Sequence, residues 1–463
     1  MMGHHTRSES LFYYFRLEDH VPEDHLLRLI DKHVDFGFVR DRLKQHYSDT
    51  GRPSIDPELL LRILLIGYLY GITSERRLVE EVGMHLAYRW FTGLEFDQEV
   101  PHHSTFSKNR HGRFQEANLF RELFEAIVAR CVEVNLVTGK HLSVDGTQVP
   151  ANAGVKSRVT REAFTEAAQV NRTAREYLEE IAAQNPIPET STAGSEATLA
   201  QNLLAKLPEK LSTTDPDATW SAKHGLAVLA YYDHYLIDNE SCIVLGVEAT
   251  PARFSAETAA AKQMITAAKT RFGLQPVSLG ADKGYGSAEF VDWLWSQGVA
   301  PHIPLIDRKK QTKNAFTRDD FTYLPDQNAY QCPEGKLLPY VGLNRPSQQH
   351  IYRATQAQCG PCPAKNKCTT APLKKIGVSW YEAARDRARA LVDTPAFLHS
   401  RRARSKVEAL FSELKQRIGL SRLKLRRVRH ASEQFLLAAT AQNLKRMVRF
   451  LAKSPPQPTA VTA

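Results

Sequence analysis

Between His141 and Leu305 the chain alternates strand-type and helix-type runs in an order that leaves few architectures open. LSVDG is a short strand-like run ending in Asp145, with Gly146 giving room at its end. After an interruption come GLAVLAYYDHYL and SCIVLGVEAT, separated by the turn-prone Ile237-Asp238-Asn239-Glu240, which reads as a β-hairpin. A helix at Ala256 to Phe272 leads to the strand PVSLGAD, which ends in Asp282 and is followed by Lys283-Gly284-Tyr285-Gly286. A helix at Ala288 to Gln297 and the strand VAPHIPL complete the series. Strand, strand, strand, helix, strand, helix, strand and a late helix make a mixed α/β layer architecture.

The late helix lies in RRARSKVEALFSELKQRIGL. Val407, Phe411, Leu414 and Ile418 recur at helical spacing up to Gly419, so one side faces a core. At roughly 100° per residue, Arg404, Glu408 and Lys415 share an edge about a quarter-turn from that stripe. A carboxylate among cations on a packed helix suits an acidic cation ligand beside two phosphate contacts; it also suits an ion-paired solvent face. Asp145 and Asp282 separate the two readings. Single acids at strand ends are ordinary turn formers, but three acids that this order brings to one end of a sheet repel one another, and a divalent cation compensates.

With 463 residues the chain has material for several domains and a large core. Lys plus Arg number 61 against 51 Asp plus Glu, a net charge of +10 that favours a polyanionic partner, nucleic acid first. The longest apolar run, Leu59 to Tyr70, is interrupted by Arg62 and too short for a bilayer. No signal-peptide pattern opens the sequence, so a soluble cytoplasmic protein is expected. Residues 1–135 are helical in period: Asp56-Pro57 starts a helix that Gly71 closes, and Ser104 caps a long one carrying Lys108, Arg110 and Arg113. This all-α domain has a helix-turn-helix character suited to major-groove docking, a packing or dimerisation domain being the alternative. Residues 151–214 read as an insertion with a polar helix at Thr160 to Gln184, a loop at 185–195 and a second helix near 199–207. Leu420 to Arg429 is densely basic, Ala431 to Leu451 forms a closing helix, and residues 453–463 read as a disordered tail.

Six cysteines are too few for a disulfide scaffold in a chain of this length. Cys131 and Cys242 sit in apolar runs and read as core. Cys332, Cys359, Cys362 and Cys368 fall within 323–372, where a Cys-x-x-Cys knuckle flanked by Pro and Gly suits a tetrahedral zinc site that staples a loop-rich insert. An iron–sulfur cluster and four free thiols are the alternatives.

Three segments carry a resemblance: Ser143-Val144-Asp145-Gly146-Thr147, Ala281-Asp282-Lys283-Gly284-Tyr285, and Arg404-Ser405-Lys406-Val407-Glu408 with Lys415. With SIDPELLLRILLIGYLYG and HHSTFSKNRHGRF upstream, they resemble bacterial insertion-sequence transposases of the DDE class over nearly the whole length. Arg404, Glu408 and Lys415 match in spacing the Tyr-Arg-Glu-Lys signature of one branch, but Arg401 stands in place of the tyrosine. The resemblance implies an RNase H-like mixed sheet flanked by helices, formed by 136–322 and 373–452 behind the helical N-terminal domain. It implies that Asp145, Asp282 and Glu408 hold Mg²⁺ or Mn²⁺, with Glu413 the alternative third acid. Water and then the freed 3′-hydroxyl would attack phosphodiesters, while Arg401, Arg404, Lys415 and Lys283 contact phosphates. Tyr285 and Trp293 stand between DNA contact and packing. The implied partners are double-stranded DNA, at element ends and target, and a second copy of the chain in the active complex; no membrane is involved. A domesticated DNA-binding protein would not need three acids, and an RNase H-like nuclease without strand transfer would not need the long helical N-terminal domain.

Overall fold

The computed structural model describes residues 14–47, 50, 54–185, 205, 207–222, 225–252, 256–305 and 316–453. Helix α1 (Pro57–Tyr70) starts where the Asp56 carboxylate accepts from the Glu58 N–H, and it ends at Gly71 in the left-handed conformation, φ 72°. Ser74 caps α2 (Glu75–Met84). The long segment expected from Ser104 is instead three helices, Ser104–His111, Arg113–Glu116 and α3 (Leu119–Glu133), and His103 occupies the first cap position. Gly112, outside the helical region, and Asn118, at φ 52°, make the breaks.

Strand β1 runs His141–Pro150, so Asp145 stands within it and not at its end. Gln148 and Val149, buried beyond the polar Asp-Gly-Thr, carry the strand on. After β2 (Arg158–Thr160), the polar helix expected to reach Gln184 is split into Arg161–Ala167 and Arg172–Gln184, the second capped by Asn171. The loop expected at 185–195 and the helix near 199–207 lie almost wholly outside the described residues, as does the tail. Two short strands not anticipated follow, β3 (Lys210–Ser212) and β4 (Thr219–Ser221), then the hairpin β5 (Val228–Asp238) and β6 (Val244–Pro251). Next come α4 (Ala256–Phe272), β7 (Ser278–Gly280), α5 (Ala288–Ser296) and β8 (Ala300–His302). The cysteine-rich part holds β9 (Thr322–Leu324), β10 (Ala329–Gln331), β11 (Leu337–Asn344), β12 (Gln349–Arg353) and β13 (Lys375–Ser379). Helices α6 (Pro395–Ala403), α7 (Ser405–Gln416) and α8 (Val428–Lys453) close the chain.

These elements form two units that share β1: residues 1–139, 145–274 and 406–463 make one, and 140–144 with 275–405 the other. In the first, β5 pairs antiparallel with β6 and, at its start, with β4; β1 lies on its other side, where the Ala151 N–H donates to Leu229 at 2.8 Å. Helix α8 is this unit's central element, buried along most of its length and packed on β6, α1 and α3. Its Asn443 amide donates to the Val244 carbonyl and accepts from the Val244 N–H, both at 2.8 Å, continuing the edge of β6 with a side chain. The end of α1 meets the turn after α7 at two left-handed glycines: a Cβ on Gly71 would press inside 3.0 Å of the Arg417 carbonyl oxygen, and one on Gly419 would lie 2.7 Å from the Thr73 side chain.

In the second unit β7 pairs parallel with the first half of β1, from His141 opposite Ser278 to Ser143 opposite Gly280, and with β8 on its other side. The insert expected to be loop-rich is a five-stranded antiparallel sheet in the order β13-β12-β11-β10-β9. Its core gathers Tyr330, Leu338, Tyr352 and Ile376. Mixed sheets with flanking helices behind a helical N-terminal region make the chain an α/β protein. No single helix among the described residues is long and apolar enough to cross a membrane.

Candidate active site

In the second unit Asp282 follows β7 and accepts from the Gly284 N–H at 2.8 Å, capping the single helical turn Lys283–Tyr285. Helix α6 comes close to β7 here because Gly280 has no side chain: a Cβ would sit 3.2 Å from Ser143 Oγ and 3.4 Å from the Ser400 carbonyl. His302, at the end of β8, shares a 2.6 Å hydrogen bond with Ser400 Oγ and tilts over Phe397. Burial, with His141 nearby, holds its pKa below the ordinary histidine value and favours the neutral ring. Asp282, Lys283, His302, Ser400, Arg401 and Arg404 together line a cavity of about 170 Å³. Three cationic side chains against one carboxylate favour an anion there. Sequence reasoning missed His302, whose signal was a histidine in the middle of the apolar run VAPHIPL.

In the first unit Asp145 is partly buried, and its carboxylate accepts from the Gly146 N–H at 2.8 Å. Thr147 lies two residues along and on the same strand face, and its hydroxyl accepts from Lys415 Nζ at 2.7 Å. Lys415, read as a phosphate contact, is therefore partly buried and tied to the strand that carries Asp145. Glu408, two turns earlier on α7, is exposed. Arg404 does not share that helix: a turn at Arg404 separates α6 from α7, and Arg401 and Arg404 belong to the second unit. Glu413, the alternative acid, pairs with Arg446 at 2.9 Å.

Asp233, in the middle of β5, was not singled out by the sequence reading. It is fully buried, and neither carboxylate oxygen has a hydrogen-bond partner among the described residues. Burial drives its pKa well above the ordinary carboxylate range, with the Lys415 ammonium acting in the opposite sense. Burial likewise lowers the pKa of Lys415, and Asp233 opposes that fall. The signal was an aspartate inside an otherwise buried strand run, Tyr231-Tyr232-Asp233-His234-Tyr235.

Among the described residues no group of three or more His, Cys, Asp or Glu side chains is arranged to hold a metal ion. The four clustered cysteines are free, and Cys332, Cys359 and Cys368 pack against the tyrosine-rich core of their sheet. Cys332 Sγ accepts from the Lys336 N–H at 3.3 Å and Cys359 Sγ from the Lys374 N–H at 3.5 Å. Burial raises the Cys368 thiol, Lys374 lowers it, and Cys359, Cys332 and Cys362 raise it further, so the four sulfurs feel one another. Several side chains of the basic stretches at 108–113 and 420–429 are engaged internally. Arg110 pairs with Glu75 at 3.0 Å and is 6% exposed. Arg113 donates to the His46 carbonyl and lies over Tyr47. Arg422 and Arg426 donate to the carbonyls of Ala151 and Asn152, and Arg427 bonds to Asp217 and Glu180. Lys108 remains exposed. Tyr285 is buried, and the partly exposed Trp293 stacks on Phe290.

Residues 15–112 match the family described as Transposase domain (DUF772), and residues 331–448 match the family described as Transposase DDE domain. The second match spans the cysteine cluster, α6, α7 and most of α8, and so includes Arg401, Arg404, Glu408 and Lys415. Asp145 and Asp282 lie outside both. No curated protein matches the chain. These two segments are thus similar to domains of transposases, the second to the DDE type.

Proposed function

We propose that the protein is a metal-dependent DNA transposase that binds the ends of its insertion sequence, cleaves phosphodiester bonds and joins the 3′ ends to target DNA. The observation that carries this reading is the cavity beside Asp282, where Lys283, Arg401 and Arg404 surround a space suited to an anion. The strand orders β6-β5-β1 in one unit and β1-β7-β8 in the other support an RNase H-like catalytic domain. Asp145, Asp282 and Glu408 are assigned as its acids. All three are hard oxygen donors and none is fully buried, which suits Mg²⁺ or Mn²⁺. When bound, such ions supply an activated oxygen nucleophile and stabilise charge on phosphorus. The chain's own cations would hold the phosphates: Lys283, Arg401 and Arg404 from the cavity wall, and Lys415 from α7, where it bonds to Thr147 on the strand that carries Asp145. A structural Zn²⁺ is assigned to Cys332, Cys359, Cys362 and Cys368 on donor chemistry alone: they are soft thiols, and two of them accept N–H···S bonds. The partners are double-stranded DNA and a second copy of the chain, met in the cytoplasm on the nucleoid.

The test is Glu408→Gln, which keeps size and removes the charge that a hard cation requires. A labelled duplex taken from the DNA flanking the gene is incubated with and without Mg²⁺ or Mn²⁺, and nicked and joined products are resolved on a denaturing gel. The variant should bind the duplex as wild type does, while metal-dependent cleavage falls by roughly a thousandfold or more. Wild-type protein that binds but never cuts would establish the domesticated reading. Cutting without joining would make it a nuclease, and cleavage by the Gln variant would remove Glu408 from the site.

A further inference from the structure

From Gly335 to Tyr381 the chain carries seven lysines and arginines and no aspartate or glutamate. With 51 acids in 463 residues, about one in nine, a stretch of this length would ordinarily hold about five. The strands of the cysteine-rich sheet sort part of that charge onto one face. Arg353 of β12 lies directly opposite Lys375 of β13, and both are exposed. Side chains alternate along a strand, so the next rung on that face is Gly342, Ile351 and Gly377, and the rung after it Asn344, Gln349 and Ser379. A Cβ on Gly342 would meet nothing within 4 Å, and one on Gly377 would press on the Gln349 amide, which lies across it. Gly342, Asn344, Arg345, Ile351 and Lys375 line one groove. The tyrosines take the opposite face, where Tyr323, Tyr330, Tyr340 and Tyr352 meet ring to ring.

Like charges directly opposite each other on a sheet repel and destabilise it. A lone lysine on the edge strand β13 would be ordinary, but Arg353 stands on an inner strand. Arg345, Arg353 and Lys375 have no ion pair among the described residues, whereas Arg318, Arg385 and Arg389 of the same unit all pair with Glu382. A polyanion would relieve the repulsion. Cations and amides without an aromatic ring suit the phosphates of a duplex, and they offer no platform for stacking single-stranded bases. We propose that this face of the cysteine-rich sheet is a sequence-independent contact for the backbone of double-stranded DNA, with Arg353 and Lys375 each holding a phosphate. The inference rests on the DNA-binding part of the proposed function and not on its cleavage chemistry.

The test is Arg353→Gln combined with Lys375→Gln in the full chain, with Arg353→Lys as the control that keeps the charge. Affinity is measured against salt for the flanking duplex, a duplex of random sequence and a single strand of equal length. Loss of two phosphate contacts should make the slope of log affinity against log salt shallower by roughly two units for both duplexes. The advantage of wild type over the double variant should therefore shrink roughly tenfold between about 50 and 200 mM salt, while Arg353→Lys keeps the wild-type slope. The double variant should melt no lower than wild type, because the pair it removes is repulsive. In wild type, either duplex should also slow the acetylation of Lys375 by acetic anhydride several-fold, a measurement that needs no variant to fold. An unchanged slope overturns the proposal, as do a loss confined to the flanking duplex or to the single strand, and a Lys375 that DNA leaves unprotected. Wild-type protein that binds neither duplex would sink the transposase reading as well. Wild type that binds but never cuts would remove the cleavage reading alone and leave the slope to decide this surface.

Discussion

Gly71 and Gly93 offer a matched pair for measuring how tightly the helical N-terminal part is keyed to the helix that carries Glu408. Both follow a helix in the left-handed conformation, at φ 72° and φ 71°. A Cβ on Gly93 would meet nothing within 4 Å, whereas one on Gly71 would press into the Arg417 carbonyl closer than real Cβ contacts occur. Alanine at either position incurs the left-handed backbone penalty, about 1–2 kcal/mol. Only at Gly71 must the partner backbone move. The turn that has to retreat is closed by three hydrogen bonds: Arg417 and Ile418 N–H to Glu413, at 2.9 and 3.0 Å, and Leu420 N–H to Leu414, at 3.0 Å. At about 1 kcal/mol for each bond strained or lost, Gly71→Ala should be roughly 2–3 kcal/mol more destabilising than Gly93→Ala. Urea denaturation of the two variants and wild type, followed by circular dichroism, gives the difference. Equal destabilisation would show that the close approach of α1 to the end of α7 carries no energy.

Two further outcomes concern Asp215 and the cysteine cluster. Asp215 is buried, accepts from the Tyr231 hydroxyl at 2.6 Å, and has its pKa raised by burial to about 6. Because the folded value lies above the unfolded one, its contribution to stability is full below about pH 4 and is lost as pH rises through about 6, up to about 3 kcal/mol in all. Wild type should therefore lose that much stability relative to Asp215→Asn between pH 4 and 7, and parallel melting curves across that range would refute it. For the cysteine cluster, protein purified without added metal should contain near one zinc per chain by elemental analysis, and Cys362→Ser should lower both zinc content and melting temperature. Fully folded, metal-free protein would remove the zinc assignment.

What could be read from the residues and what could not divide along physical lines. Asp56-Pro57 and Gly71 act through their own backbones, so the bounds of α1 were legible before any contact was known. The hairpin of β5 and β6 was legible because its turn residues and β-branched runs are local signals. The full reach of β1 was not, since Asp145-Gly146-Thr147 looks like a strand end until Gln148 and Val149 find a buried position. The sheet β9 to β13 was hidden for a related reason: strands as short as three residues, half solvated, have no pattern separable from loops. Charge proved the least legible property. Arg110 and Arg113 lie on a segment whose sequence suits major-groove docking but spend donors on Glu75 and the His46 carbonyl, and within the densely basic run 420–429 Arg422 and Arg427 spend theirs on the Ala151 carbonyl and Asp217. In the candidate site, Asp145 and Asp282 were visible as residues, whereas Asp233 and His302 emerged only once β5 and β8 had neighbours.

The amide of Asn443 bears on a different property, the solubility of the protein at high concentration. Strand β6 has β5 on one side only among the described strands, and a bare strand edge is a template on which another chain can add itself. At Val244 both backbone groups on that open side are already taken by the Asn443 side chain, held there by a helix buried along most of its length. At Val244 an incoming strand would have to displace that amide first, and there it would gain only the two hydrogen bonds that the amide already makes. The Val244 end of this hairpin's open edge is thus closed to an added strand by a single side chain from the central helix.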